Sequence, residues 1–432
     1  NQAAVSIPSG SVIDGGDLGT IVNGEWVGEI NVYENESPGQ SPGFEKTDLR
    51  NFALINYDGD WETPSGLKGC NFDGEGNFSV AEDRTCLLLE SGSSKGNTLI
   101  INQGATLRAG VISFDVNGDA SSAQDNVIRL EEGNLSAVVV EGRSNDEDEF
   151  LLGSDQGGSG ALSVQLLSGF DQLKQQGGTW SYDLKGYDFG DVPLELQVKS
   201  GDVIIDSSAD ASGAGTGEAT FSAISIIGNQ ESQITNKGEL TVTGEKGSGI
   251  TGNASLRTTS GSTTRLGGSS NYTGETVVEE GASLIALNDF ALSDESEHTI
   301  HGSLELGEGD GNQQVKQLNL EGGVISEGSL STKEGLFSSG GTIYAQLTGD
   351  GGLTAEEGKL TIDSTGSDYS GDTTVEEGAI LIALNDFALS DESEHTIRGS
   401  LELGGEDTRQ QVEQLNLEGG VISEGILSTK KG

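Results

Sequence analysis

Methionine is absent from the 432-residue chain, proline occurs five times, cysteine twice and histidine three times. With no initiator, a chain beginning at Asn1 is expected to be a processed or cloned fragment. No apolar run is long enough to cross a bilayer as a helix and no signal peptide is present, so whatever anchors the protein is expected to lie outside this stretch. Basic residues are scarce: 22 Lys plus Arg face 70 Asp plus Glu, for a formal charge of −48. Such a field repels phosphate backbones and anionic lipid, and no basic stripe interrupts it, which excludes nucleic acid as a main partner. It also makes the approach of two copies depend on salt or divalent cations, because exposed charges are screened over roughly 8 Å at physiological ionic strength. Calcium is the candidate modulator, and no other cofactor is implied.

Glycine supplies 68 residues, and the remainder is rich in Ser, Thr, Asn, Asp, Val, Ile and Leu in short runs. Short β-favouring runs between tight turns suit many short strands, and an acidic disordered chain would lack them. An apolar share of 33% is low for a globule but sufficient for a solenoid, whose coils each bury only a few side chains. The two cysteines, Cys70 and Cys86, close the segment GCNFDGEGNFSVAEDRTC. An isolated pair fits an oxidising compartment, where a disulfide across such a loop contributes about 3 kcal/mol. The rival reading is two free, buried thiols in a cytosolic protein.

The strongest feature is an internal duplication. Gly274 to Lys333 recurs with few changes from Gly371 to Lys430, and each copy follows a Tyr-Thr-Gly or Tyr-Ser-Gly step at Tyr272 or Tyr369. Within a copy, aliphatic alternations such as Val277-Val278, Leu284 to Leu287, Leu304 to Leu306, Leu318 to Leu320 and Val324-Ile325 are broken by glycine turns about every 20 residues, the spacing of solenoid coils. The signal continues upstream, at Thr98 to Ile101, Val127 to Leu130, Leu162 to Leu166 and Val203 to Ile205 among others. Helical periodicity is nearly absent; Asn288 to Glu297 and its copy Asn385 to Glu394 read as loops or a single helical turn. The expected fold is all-β, a right-handed parallel β-helix (three-sheet solenoid) with projecting loops, on the order of 90 Å long if each coil adds about 4.8 Å. Three parts are expected: 1–97 as cap and first coils with the disulfide loop, 98–270 as central β-helix, and 271–432 as the duplicated coils. Residues 33–48, 57–86 and 168–193 depart from the rhythm and read as projecting loops, the usual place for binding residues.

The segment TVVEEGASLIALNDFALSDESEHTIHGSLELG resembles the passenger-associated repeat of autotransporters: a Thr-Val strand, a Gly-Ala-Ser-Leu turn and strand, an Ala-Leu-rich excursion, and a strand ending Leu-Glu-Leu-Gly. Its two copies cover roughly the last third of the chain, and AIDA-type adhesins are the nearest look-alikes. The resemblance implies a right-handed β-helix displayed at the surface of a Gram-negative bacterium, exported through the periplasm and an outer-membrane barrel missing from this stretch. It implies adhesion, cell aggregation, biofilm formation or virulence through self-association between neighbouring cells or attachment to host matrix protein or glycan.

Catalytic constellations are poorly supplied. A serine protease site needs a Ser with His and Asp in reach, and the string from Gly153 to Gly160 has neither the order nor a partner. His298 and His395 are the same repeat position, while His301 becomes Arg398 in the second copy, so all three read as solvated or turn residues, and no enzyme is expected. A polysaccharide-acting β-helix enzyme is the alternative; acid pairs such as Glu131-Glu132 are more often a solvated face. Asp289, Asp294 and Glu295, with copies Asp386, Asp391 and Glu392, offer oxygen ligands, but their spacing matches neither an EF-hand nor a nonapeptide calcium repeat, so surface solvation is their expected role, with the metal question open and a calcium-dependent structural surface protein as a further alternative. The ligand-binding candidates are Trp180, Tyr182, Tyr187 and Asp188, whose rings either contact a partner or pack on the coil.

Overall fold

Runs of three to five residues in which every second side chain is apolar form strands with one buried face, and glycine turns let the chain change direction between them. The computed structural model describes residues 127–431 except 131–132, 142–148, 169, 171, 185–193, 207–216, 229–231, 245–246 and 308–310; before residue 127 it describes the backbone of ten strands. No helix occurs among the described residues. Parallel strands stack as a β-solenoid, about 12 turns in all, in two compact units, Asn1–Phe221 and Ser222–Gly432. The expected parallel β-helix is therefore the fold found.

In the first unit, one column of paired positions runs Leu99, Ile128, Phe150, Leu173, Leu196 and a second runs Leu107, Leu135, Leu162, Tyr182, Ile205. From Ile128 and Leu135 onward every member of these columns is buried. The stretch 168–193 is not simply a projecting loop: it holds the strands Gln172–Gln175 and Thr179–Leu184, paired in register with their neighbours. The stretch 57–86 likewise contains an antiparallel pair, Cys70–Phe72 with Phe78–Val80. The backbones of Cys70 and Cys86 begin the strands Cys70–Phe72 and Cys86–Leu89, and their side chains lie outside the described residues. So does the stretch 33–48.

In the second unit the columns continue turn upon turn, for example Thr264, Leu284, Leu304, Ile325, Ile343, Ile362. All six are fully buried, and each aliphatic member contributes about 1.5–3 kcal/mol on leaving water. The excursions Asn288 to Glu297 and Asn385 to Glu394 are turns without helix, as one of the two sequence readings has it. Charged residues face outward and pair between coils: Lys316 with Glu297 at 2.9 Å, Arg265 with Glu239 at 3.3 Å, and Arg257 with Glu279. Exposed pairs of this kind are worth at most about 1 kcal/mol each, so the backbone ladder and the inward columns carry the stack.

Close stacking leaves no room for a side chain at the tightest corners. A Cβ on Gly302 would sit 2.3 Å from the Ala282 carbonyl oxygen and 2.4 Å from that of Glu279. Gly302→Ala is therefore expected to lower stability by about 1–3 kcal/mol through a forced backbone shift. At Gly322, where φ is +82° but nothing lies within 4 Å, alanine meets only backbone strain and should cost about 1 kcal/mol. Denaturant unfolding of the two variants checks the ranking.

Candidate functional site

The duplicated segment carries the only histidines of the chain, and the structure explains their placement. Period-two alternation turns Thr276 and Val278 inward on the strand Thr276–Val278, and His298 and Ile300 inward on Glu297–Ile300. Parallel register seats His298 against Thr276 and, in the second copy, His395 against Thr373. The column they share runs Leu256, Thr276, His298, Leu318, Leu336, Leu353, Thr373, His395, so a Thr-His step twice interrupts an aliphatic stack.

A polar network closes around each step. The Tyr272 hydroxyl lies 2.7 Å from Thr276 Oγ1, which lies 3.3 Å from Ser296 Oγ. Ser296 donates to the Gly274 carbonyl at 2.6 Å, and Ser293 donates to the Tyr272 carbonyl at 2.6 Å. His298 Nδ1 donates to the Ser296 carbonyl at 3.1 Å, leaving Nε2 as acceptor 3.5 Å from the Tyr272 hydroxyl. The second copy repeats Tyr369 to Thr373 at 2.8 Å, Thr373 to Ser393 at 3.2 Å, Ser393 to the Gly371 carbonyl at 2.7 Å and His395 Nδ1 to the Ser393 carbonyl at 3.0 Å. There the Nε2 of His395 is buried without a hydrogen-bond partner. Burial pushes the Tyr272 and Tyr369 hydroxyls up to about 12 and holds both imidazoles down to about 4, against the opposing pull of the Ser296 or Ser393 carbonyl on the rings.

These observations correct the reading of His298 and His395 as solvated: both are fully buried. Inside, Ser296 and Ser393 offer carbonyl partners to the two Nδ1 atoms, and Tyr272 offers its hydroxyl to His298 Nε2, in place of water. The Tyr-Thr-Gly and Tyr-Ser-Gly steps, with the recurring Ser-x-x-Ser-x-His, were the sequence signal for this network. His301 stays on the surface, 3.5 Å from Glu321, and its replacement Arg398 reaches Glu376 and Glu418, both at 3.0 Å.

The excursion between network and coil is clamped from below. Gln313, itself buried, donates to the Asn288 carbonyl at 2.7 Å and accepts from the Leu292 amide; Gln410 does the same for Asn385 and Leu389. Asp289 accepts the Asn312 amide at 2.8 Å and Asp386 the Arg409 amide at 2.7 Å. Asp294 and Glu295 both pair with Lys333 at 2.9 Å, and Asp391 pairs with Lys430 at 2.8 Å. Five of the six candidate calcium ligands, all but Glu392, thus cap backbone or bind lysine, and no group of three or more His, Cys, Asp or Glu is placed to hold a metal among the described residues.

The aromatic candidates divide. Trp180 and Tyr182 are fully buried on the inward face of Thr179–Leu184 and are not available to a ligand, which corrects their assignment as contact residues. Trp180 Nε1 donates to the Gly177 carbonyl at 3.0 Å, and the Tyr182 hydroxyl donates to Gln175 Oε1 at 2.8 Å while its ring meets Phe221 edge-on at 6.0 Å. Tyr187 and Asp188 lie outside the described residues. Comparison of the chain with family models, curated proteins and solved structures gave no match.

A neutral, buried histidine makes stability depend on pH. Its folded value of about 4 lies below the unfolded value near 6.5. Above pH 6.5 neither state binds the proton; as pH falls toward 4 the unfolded chain takes it up and the folded chain does not, so stability is lost over that window. The loss is about 2–3 kcal/mol per histidine by pH 4.5. Carboxylate titration is common to parent and variant, so the pH 7 to pH 4.5 difference in unfolding free energy is expected to shrink in His298→Gln/His395→Gln, measured by urea unfolding at each pH.

Proposed function

We propose that this chain is the surface-displayed passenger of an autotransporter adhesin, working by binding and not by catalysis, in cell aggregation, biofilm formation or attachment to host matrix protein or glycan. The observation that carries the reading is how the duplicated segment divides its residues. The side chains with catalytic potential, His298 and His395 with their Ser, Thr and Tyr partners, are enclosed in the scaffold, while the outer faces of two matching excursions repeat along the stack. A repeated outer face on a stiff ladder multiplies weak contacts, which is how modest single affinities yield firm attachment between surfaces. The resemblance of the duplicated segment to passenger-associated repeats supports the same reading, together with export across the periplasm and outer membrane and a Cys70–Cys86 disulfide formed there.

Partner cells displaying another copy, or host matrix protein or glycan, are the two targets of the proposal. Cells displaying the chain are expected to clump with one another, with clumping reduced by a chelator if divalent ions bridge the acidic faces, or else to bind immobilised matrix protein or glycan above the level of non-displaying cells. Settling assays with and without chelator, run beside a matrix-protein and glycan array, decide the matter. The absence of both clumping and binding would overturn it.

A further inference from the structure

Nine large apolar side chains are exposed among the described residues. Three of them, Leu417, Val421 and Ile426, belong to the last described turn, and Ile227 stands apart. The other five, Leu287, Phe290, Tyr344, Leu384 and Phe387, fall on one edge of the second unit. Leu287, Tyr344 and Leu384 each directly follow a strand, Ser283–Ala286, Ser329–Ile343 and Ile380–Ala383, and each donates its amide to the preceding coil, at Leu266, Ile325 and Ile362. Phe290 and Phe387 lie three residues beyond Leu287 and Leu384, and the register from Thr276 through His298, Leu318, Leu336 and Leu353 to Thr373 sets the two copies five coils apart. Five steps of strand spacing put the two rings about 24 Å apart.

A second observation falls on the same edge. Among the described residues, the non-glycine residues with left-handed backbone are Phe290, Glu327, Phe387 and Glu424, at φ 55–61°. Phe290 and Phe387 are repeat equivalents, as are Glu327 and Glu424. A bulky residue in this region is strained, and such strain concentrates at functional positions. At these two positions the phenylalanines are 55% and 49% exposed. Asp289, Glu327, Asp363 and Asp386 accompany the rings, and Arg409, whose carbonyl accepts the Phe387 amide, is a basic residue beside them.

We infer that this edge is a docking strip for a cationic amphipathic segment, laid along the coil axis with its apolar face on Leu287, Phe290, Tyr344, Leu384 and Phe387 and its lysines or arginines over the flanking carboxylates. Charge selects this occupant: a second copy of a chain carrying −48 approaches only where salt or divalent cations screen the repulsion, anionic lipid is repelled, and a cationic segment is attracted without either. Length fits as well, since an α-helix of about 16 residues spans 24 Å. The inference goes beyond the adhesive reading and stands or falls without it.

The test uses the purified full chain and a fluorescein-labelled Leu/Lys peptide of about 16 residues with the period of an amphipathic helix, against a scrambled peptide of equal composition. The amphipathic peptide is expected to bind at least about tenfold more tightly, a 1.4 kcal/mol preference. Phe290→Asn/Phe387→Asn should abolish that preference, because asparagine keeps the left-handed backbone and so the fold while removing the rings; circular dichroism should match the parent, and the melting temperature should be no lower. Ile227→Ser should bind as the parent does. Equal binding of the two peptides, an unchanged preference in the double variant, or self-association of the parent that the double variant loses would each overturn the proposal.

Discussion

Within each unit, the described turns are held by the backbone of the turn before them. In-register parallel pairing satisfies the amides and carbonyls of a chain in which no helix is described, and it does so only if successive coils keep one spacing. Everything else follows from that constraint. Side chains fall into columns, corners must be narrow enough for Gly302, and insertions can leave only at turns, as the Asn288 to Glu297 excursion does.

The columns also decide where polar residues can go. An inward position is shared by the equivalent residues above and below it, so a polar side chain there needs partners from adjacent coils. The Tyr272–Thr276–Ser296–His298 set meets this need with residues drawn from two successive coils, and Asn236 does likewise by donating to Thr263 O and Thr264 Oγ1. The second copy is less complete, with His395 Nε2 left unmatched. Outward positions obey the same geometry: Arg398 links Glu376 and Glu418 on the coils to either side, whereas His301 in the first copy lies within ion-pair distance of Glu321 and acts on Glu279 only through its field.

Strand positions and the solenoid class were legible in the sequence because alternation and glycine spacing are local properties. Leu304-Glu305-Leu306 already displays its buried and exposed faces, and the structure orients it accordingly. Burial of His298 was not legible, because it depends on a tyrosine 26 residues upstream that only the coil register brings beside it. Trp180 and Tyr182 misled for a related reason. Aromatics amid Gly and polar residues look like a loop surface, yet their two-residue spacing is that of a strand face, and register with Gly160 and Leu162 places both rings inside. The exposed edge was hidden as well, since Leu287, Tyr344 and Leu384 are far apart in sequence and become neighbours of a kind only through three separate coil corners.

The two copies begin at equivalent points of the column, Thr276 and Thr373, separated by a whole number of turns. A genetic exchange between them therefore deletes or inserts a complete structural module, and the seam it leaves joins partners that already fit. Length in this part of the molecule is heritable in discrete increments, so the reach of the protein can change within a lineage without any residue having to learn a new neighbour.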